Sequence, residues 1–93
     1  MSFLEFCCAI RSLARIHSFS VSSWGRTIRH NVKVQGHPQS WHLDFMAVDA
    51  VLDDPASMKF LLADASKLLL EVVVEDDHVH IEPAGPRTAP PAG

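Results

Sequence analysis

The sequence predicts an α+β fold, a small antiparallel sheet with helices packed on it. Three observations lead there: two stretches with apolar residues at helical spacing, four short stretches that are β-branched or alternating, and a proline-rich end with no periodicity. Phe3, Phe6, Cys7, Ile10, Leu13 and Ala14 recur on one helical face, and Ser2 followed by Glu5 has the form of a capping box, so a first helix covers roughly 2–16. Such a stripe could dock a partner or a membrane surface, but its ordinary role is core. Residues 17–24, rich in Ser, Phe and Val, read as a strand ended by Gly25, and 26–34 as a short helix. A loop through Gly36, Pro38 and Ser40 then leads to Trp41 and His42. Residues 46–52 form a strand that is apolar except for Asp49. A second helix follows, with Asp54 as cap, Pro55 in the first turn, and Met58, Leu61, Leu62, Ala65, Leu68 and Leu69 on one face that needs a sheet to pack on. Strands at 71–75 and 78–82 join through Asp76 and Asp77, a poorer hairpin pair than Asn-Gly. Residues 1–82 are therefore read as a single domain and 83–93 as a flexible Pro-rich tail.

The totals bound the function. Ninety-three residues make one domain with a thin core, which a bound ion would help to hold together. A hydrophobic share of 47%, a charged share of 20% and a formal net charge of -3 give no nucleic-acid footprint. The two cysteines, Cys7 and Cys8, are neighbours, so no disulfide framework is expected. The apolar opening carries Glu5 and has its arginines, Arg11 and Arg15, after the apolar stretch; neither a signal peptide nor a membrane span is expected, and a monomer made in the cytoplasm is.

Chemistry concentrates in two places. Along the strand around Asp49, Met46, Val48, Ala50 and Leu52 share one face and Ala47, Asp49 and Val51 the other. A carboxylate there needs a partner, either an arginine, exposure on an edge, or the ring of His42 folding back from the preceding loop. In the run from Asp77 to Glu82, alternation puts His78, His80 and Glu82 on one face with Val79 and Ile81 behind them. Two imidazoles on one face, joined by an upstream His and Asp, supply the nitrogen and oxygen donors of an open zinc site with one position left for water. Spacing alone leaves open which of His78 and His80 would ligate. Asp77 lies three residues before His80, close enough to act as a base, with Glu71 and Glu75 as competitors for that role. His17, His30 and His37 fit no such pattern and read as surface or hydrogen-bonded histidines, while Trp24 and Trp41 are packing residues or the lining of a groove.

The run Ser40-Trp41-His42-Leu43-Asp44-Phe45-Met46-Ala47-Val48-Asp49, followed by Asp77-His78-Val79-His80, resembles the zinc peptidases that cut D-alanyl and related bonds of bacterial cell-wall peptides. These are the D-Ala-D-Ala carboxypeptidases and the L-alanyl-D-glutamate endopeptidases of phage endolysins, which share a fold with hedgehog domains. Their pattern, Ser-x-His, then Gly-x-Ala-x-Asp, then an acidic residue three before a final His, falls on Ser40, His42, Ala47, Asp49, Asp77 and His80. The resemblance covers residues 22–82. It implies zinc held by His42, Asp49 and His80, Asp77 as catalytic base, and His78 beside it at the oxyanion or holding Asp77. Arg26, within Ser22-Ser23-Trp24-Gly25-Arg26-Thr27, would fork onto a substrate carboxylate. Ser40 and Asn31 would be outer-sphere or loop-fixing residues. The chain departs from the pattern at Phe45, where a glycine is expected and where a bulky residue does not easily take the same backbone path.

The implied activity is a hydrolase one, with wall peptidoglycan as substrate and the wall or periplasm as its place of action. Asp77 would take the proton of the attacking water and pass it to the departing amine. Two other classes share these residues: a catalytically inactive zinc-containing binding module of the same fold, and a metal-free interaction protein.

Overall fold

A computed structural model describes residues 1–25, 33–35 and 45–85. Helix α1, Phe3–Ile16, opens as its sequence dictates: Ser2 Oγ accepts the Glu5 backbone N–H and the Glu5 carboxylate accepts that of Ser2. Those two bonds satisfy donors that a helix start otherwise leaves without partners. Ser2→Ala is expected to lower the stability of the chain by about 1 kcal/mol in urea unfolding. An unchanged midpoint would show that the cap is idle.

α1 buries Phe6, Ala9, Ile10 and Leu13. Phe3, which the helical spacing also assigns to that face, is the first residue of the helix and is 53% exposed. His17 ends the helix instead of beginning a strand, and its buried ring binds Asp64 Oδ2 at 2.7 Å. It is thus a hydrogen-bonded structural histidine, and the bond holds the Asp64 carboxyl below its usual range.

Four strands follow: β1 Phe19–Trp24, β2 Val48–Leu52, β3 Leu70–Val74 and β4 Val79–Pro83. They form one antiparallel sheet in the order β1-β2-β4-β3, so the last strand sits between the second and the third. Among the described residues this establishes an α+β architecture, a small four-stranded antiparallel sheet with α1 and a second long helix packed on it. Val48, Ala50, Val79 and Ile81 point to the helices and, with Phe6, Leu13 and Leu61, make the core. The alternation of buried and part-exposed residues along β4 is the pattern of a strand with one face on a core.

The second helix differs in detail from the expectation. Asp54 does cap, its Oδ1 accepting the Ala56 N–H at 3.0 Å, but it caps a 3₁₀ turn, Pro55–Ser57. Helix α2 runs from there as Met58–Lys67. Leu61 and Ala65 are buried, whereas Leu62 lies at the edge of the stripe and Leu69 is 67% exposed. Leu69 belongs to the exit from the helix: its φ of 60° turns the chain so that Leu70, the first residue of β3, reaches the core instead. The strand at 17–24 begins at Phe19, and the hairpin strands lie one residue earlier and one later than the sequence indicates.

The β3–β4 hairpin closes with Glu75 N–H donating to His78 O at 2.9 Å, and neither Asp76 nor Asp77 takes a positive φ. β4 continues through Pro83, which is buried and pairs with Leu70, one residue into the segment that composition assigns to the tail. A proline is tolerated there because the end of a strand need not donate an N–H. Residues 86–93 lie outside the described residues, as does most of the helix expected at 26–34. Among the described residues no helix is long and apolar enough to cross a membrane.

Candidate functional site

Because Val48 and Ala50 of β2 and Val79 and Ile81 of β4 all face the helices, the residues between them face the other way. Asp49 and His80 are such residues, and the register sets them directly opposite each other. Asp49 Oδ1 lies 3.4 Å from His80 Nδ1. The other ring nitrogen of His80, Nε2, is 3.3 Å from Glu82 Oε1, two residues along the same face. His78 enters from the hairpin, with Nε2 3.8 Å from Asp49 Oδ1 and 3.9 Å from Glu75 Oε1. Its Nδ1 bonds Asp77 Oδ1 at 2.6 Å. The result is a continuous row, Asp77–His78–Asp49–His80–Glu82, in which the Asp49 carboxylate sits between two imidazoles.

The row grades from inside to outside. His80, Asp49 and Glu82 have side chains 15%, 18% and 20% exposed, while Asp77 at the turn is 90% exposed. Hydrogen bonding to Glu82 raises the pKa of His80, helped by the charges of Glu82 and Asp49 and opposed by burial. Hydrogen bonding to Asp77 raises that of His78, with Asp49 and Glu75 adding to it. The same bond lowers the pKa of Asp77, keeping it ionised at neutral pH.

A histidine whose folded pKa is raised stabilises the fold fully below its unfolded value, and that contribution is lost as pH rises through the folded value. For the metal-free chain, stability contributed by His78 and His80 is therefore expected to decline from about pH 6.5 upward. Imidazole proton shifts followed through a pH series should give both rings midpoints above that ordinary value. Midpoints at or below it would show that the carboxylates are not engaging the rings.

The structure thus brings together Asp49, Asp77, His78 and His80 of the residues that the sequence singles out. His42, Arg26, Ser40, Asn31 and Trp41 lie outside the described residues. Among the described residues no group of three His, Cys, Asp or Glu side chains is arranged to hold an ion. Asp49 and His80 supply a pair of donors.

That pair has the right chemistry for zinc. Two ligands at about 2.0–2.2 Å from a tetrahedral ion stand roughly 3.3–3.6 Å apart, a range that includes the Asp49–His80 separation and equally the 3.3 Å between His80 and Glu82. Glu82 at the far nitrogen is the carboxylate partner that a metal-bound imidazole ordinarily has. Glu82 was visible in the sequence only as a third residue on the His face; its role follows from the i, i+2 spacing once the strand is in place.

Trp24 is a packing residue. Its ring meets Phe6 edge-on at 5.9 Å, and its Nε1–H donates to Phe45 O at 2.9 Å. Phe45, at the position where the resemblance expects glycine, has a φ of 58°. The left-handed conformation is kept there despite the side chain. Opposite it, Gly25 has a φ of 77°, and a Cβ on Gly25 would fall 2.2 Å from the Phe45 ring. The two left-handed residues form a stack that the sequence did not reveal. No family model, no curated protein and no solved structure matches the chain.

Proposed function

We propose that the chain is a zinc-dependent peptidase that hydrolyses peptide bonds in the stem peptides or cross-links of bacterial peptidoglycan, with a hedgehog/DD-peptidase-like arrangement of its site. The observation that carries the reading is the Asp49–His80 pair, set on adjacent strands at the spacing of two zinc ligands and backed by Glu82. His42, seven residues before Asp49 in the Ser-x-His motif, is the third ligand in this reading. When bound, zinc supplies a water of lowered pKa and a Lewis acid for the carbonyl.

The rest of the chemistry falls to side chains. Asp77, ionised and tied to His78, accepts the proton of the attacking water and returns it to the departing amine. His78, with its pKa raised, donates towards the oxygen that gains charge. Arg26 orients the substrate through a carboxylate, by the planar fork that suits that group.

The test is direct. Purified chain should carry about one zinc and release fragments from cell-wall sacculi that mass spectrometry identifies, and a chelator should stop the release. Protein without metal, or sacculi left intact, would refute the reading. The rival reading, an inactive zinc module, draws on one observation: Asp77 is 90% exposed and meets Asp49 only through His78. An Asp77→Ala variant that keeps its zinc separates the two, since only the peptidase then loses its products.

A further inference from the structure

The two outer strands of the sheet, β1 and β3, present different edges. β1 carries a register shift between Val21 and Ser23, an irregularity that turns an edge away from further partners. β3, Leu-Glu-Val-Val-Val, has no such shift, no proline and no lysine, and Val73 and Val74 are 43% and 53% exposed. An edge of that kind is a template for another strand. Hydrogen bonds at both ends of the β3–β4 ladder, Glu75 N–H to His78 O and Ala84 N–H to Leu69 O, fix its phase: Glu71 and Val73 bond inward to β4. The backbone N–H and C=O groups of Leu70, Val72 and Val74 therefore point outward, where no strand lies among the described residues. The chain's own proline-rich end is a poor occupant, since Pro86, Pro90 and Pro91 have no N–H to give.

We infer that β3 pairs antiparallel with β3 of a second copy, about a two-fold axis at Val72. Self-pairing must set outward residues against outward residues, so the register moves only in steps of two. With Val72 opposite Val72, Leu70 meets Val74 and Glu71 meets Val73. One step one way sets Glu71 opposite Glu71, and one step the other way sets it opposite Glu75; both put like charges face to face. The Val72 register avoids this and gives the exposed Val73 and Val74 cross-strand neighbours. Because both copies use the same edge, the contact closes on itself, and the outer strands of the joined sheet are the two β1 strands, whose bulge discourages a third copy. The axis stands perpendicular to the sheet, so the faces carrying Asp49 and His80 lie on the same side of the pair. The inference needs only the fold; it goes beyond the peptidase reading and stands or falls without it.

Sedimentation equilibrium of the full chain from micromolar to millimolar concentration is expected to show monomer passing into dimer and no larger species. Over the same range, amide exchange should slow with concentration at Val72 and Val74, while Glu71 and Val73, already bonded to β4, are protected in the monomer. Substitutions test the register. Val73→Glu puts a carboxylate opposite Glu71 at two symmetric places and should weaken the dimer about tenfold, whereas Val73→Lys, opposite the same Glu71, should stay within about threefold of the parent. The double variant Glu71→Lys, Val73→Glu should recover the affinity that Val73→Glu loses. A monomer at every concentration, as expected from the sequence, would overturn the inference, and so would association that runs on past the dimer. Equal losses in Val73→Glu and Val73→Lys would overturn it too, since that is the mark of non-specific apolar contact. Should a substitution unfold the chain, circular dichroism reveals it, and the exchange pattern of the parent still decides.

Discussion

Replacing His80 with alanine is expected to remove zinc from the protein and abolish hydrolysis, and Asp49→Ala should do the same. Each change deletes one of the two donors that stand 3.4 Å apart across the β2–β4 pair. Loss of an outer partner of a metal ligand typically costs about 10–100-fold in affinity, so loss of a ligand should cost more than about 100-fold. Glu82→Gln, which weakens only the support at His80 Nε2, belongs in the lower range. Asp77→Ala should retain zinc yet lower turnover by about 10²–10⁴-fold, the usual share of a general base. Zinc content after gel filtration and product release from sacculi measure all four variants. Full zinc occupancy in His80→Ala would remove the proposed centre.

The second large effect is expected away from the site. Gly25→Ala should destabilise the chain by about 2–5 kcal/mol, from a left-handed backbone that alanine dislikes and from a methyl group driven into the Phe45 ring. The backbone on both sides is held, because Trp24 Nε1–H donates to the Phe45 carbonyl at 2.9 Å and Gly25 N–H to Ala47 O at 3.2 Å, so relief falls to rotation of the half-exposed Phe45 ring. For a small domain whose whole stability is of the order of 5–15 kcal/mol, that is a severe loss. Phe45→Gly in the same chain should restore part of it, since it removes both the obstructing ring and a second costly positive φ. Urea midpoints of the parent, the single and the double variant test the coupling. Independent, additive effects would mean that the stack is not a unit.

Local structure was legible wherever one residue type had one physical use. Ser2 and Glu5 announced the start of α1, the 3.6-residue recurrence of Phe6, Ile10 and Leu13 gave its buried face, and Asp49 stood out as the one polar residue of an apolar strand. The meeting of His78 and His80 on one carboxylate followed from a period of two. What depended on long-range geometry was hidden. Nothing local places β4 between β2 and β3, because strand order rests on pairings between segments distant in the chain. The αL turn at Leu69 was hidden as well, since a leucine there reads as one more core position. The Phe45–Gly25 stack joins residues twenty positions apart, and no spacing rule reaches that far.

The interior position of β4 bears on how the protein comes into being. Until residues 79–83 have left the ribosome, β2 lacks one neighbour and β3 has none, so a nascent chain halted before Val79 exposes open sheet edges to proteases. Insertion of that strand completes the sheet and, in the same event, carries His80 to Asp49. The juxtaposition of these two side chains thus belongs to the closing step of synthesis, and a growing polypeptide lacks it until its fold is whole.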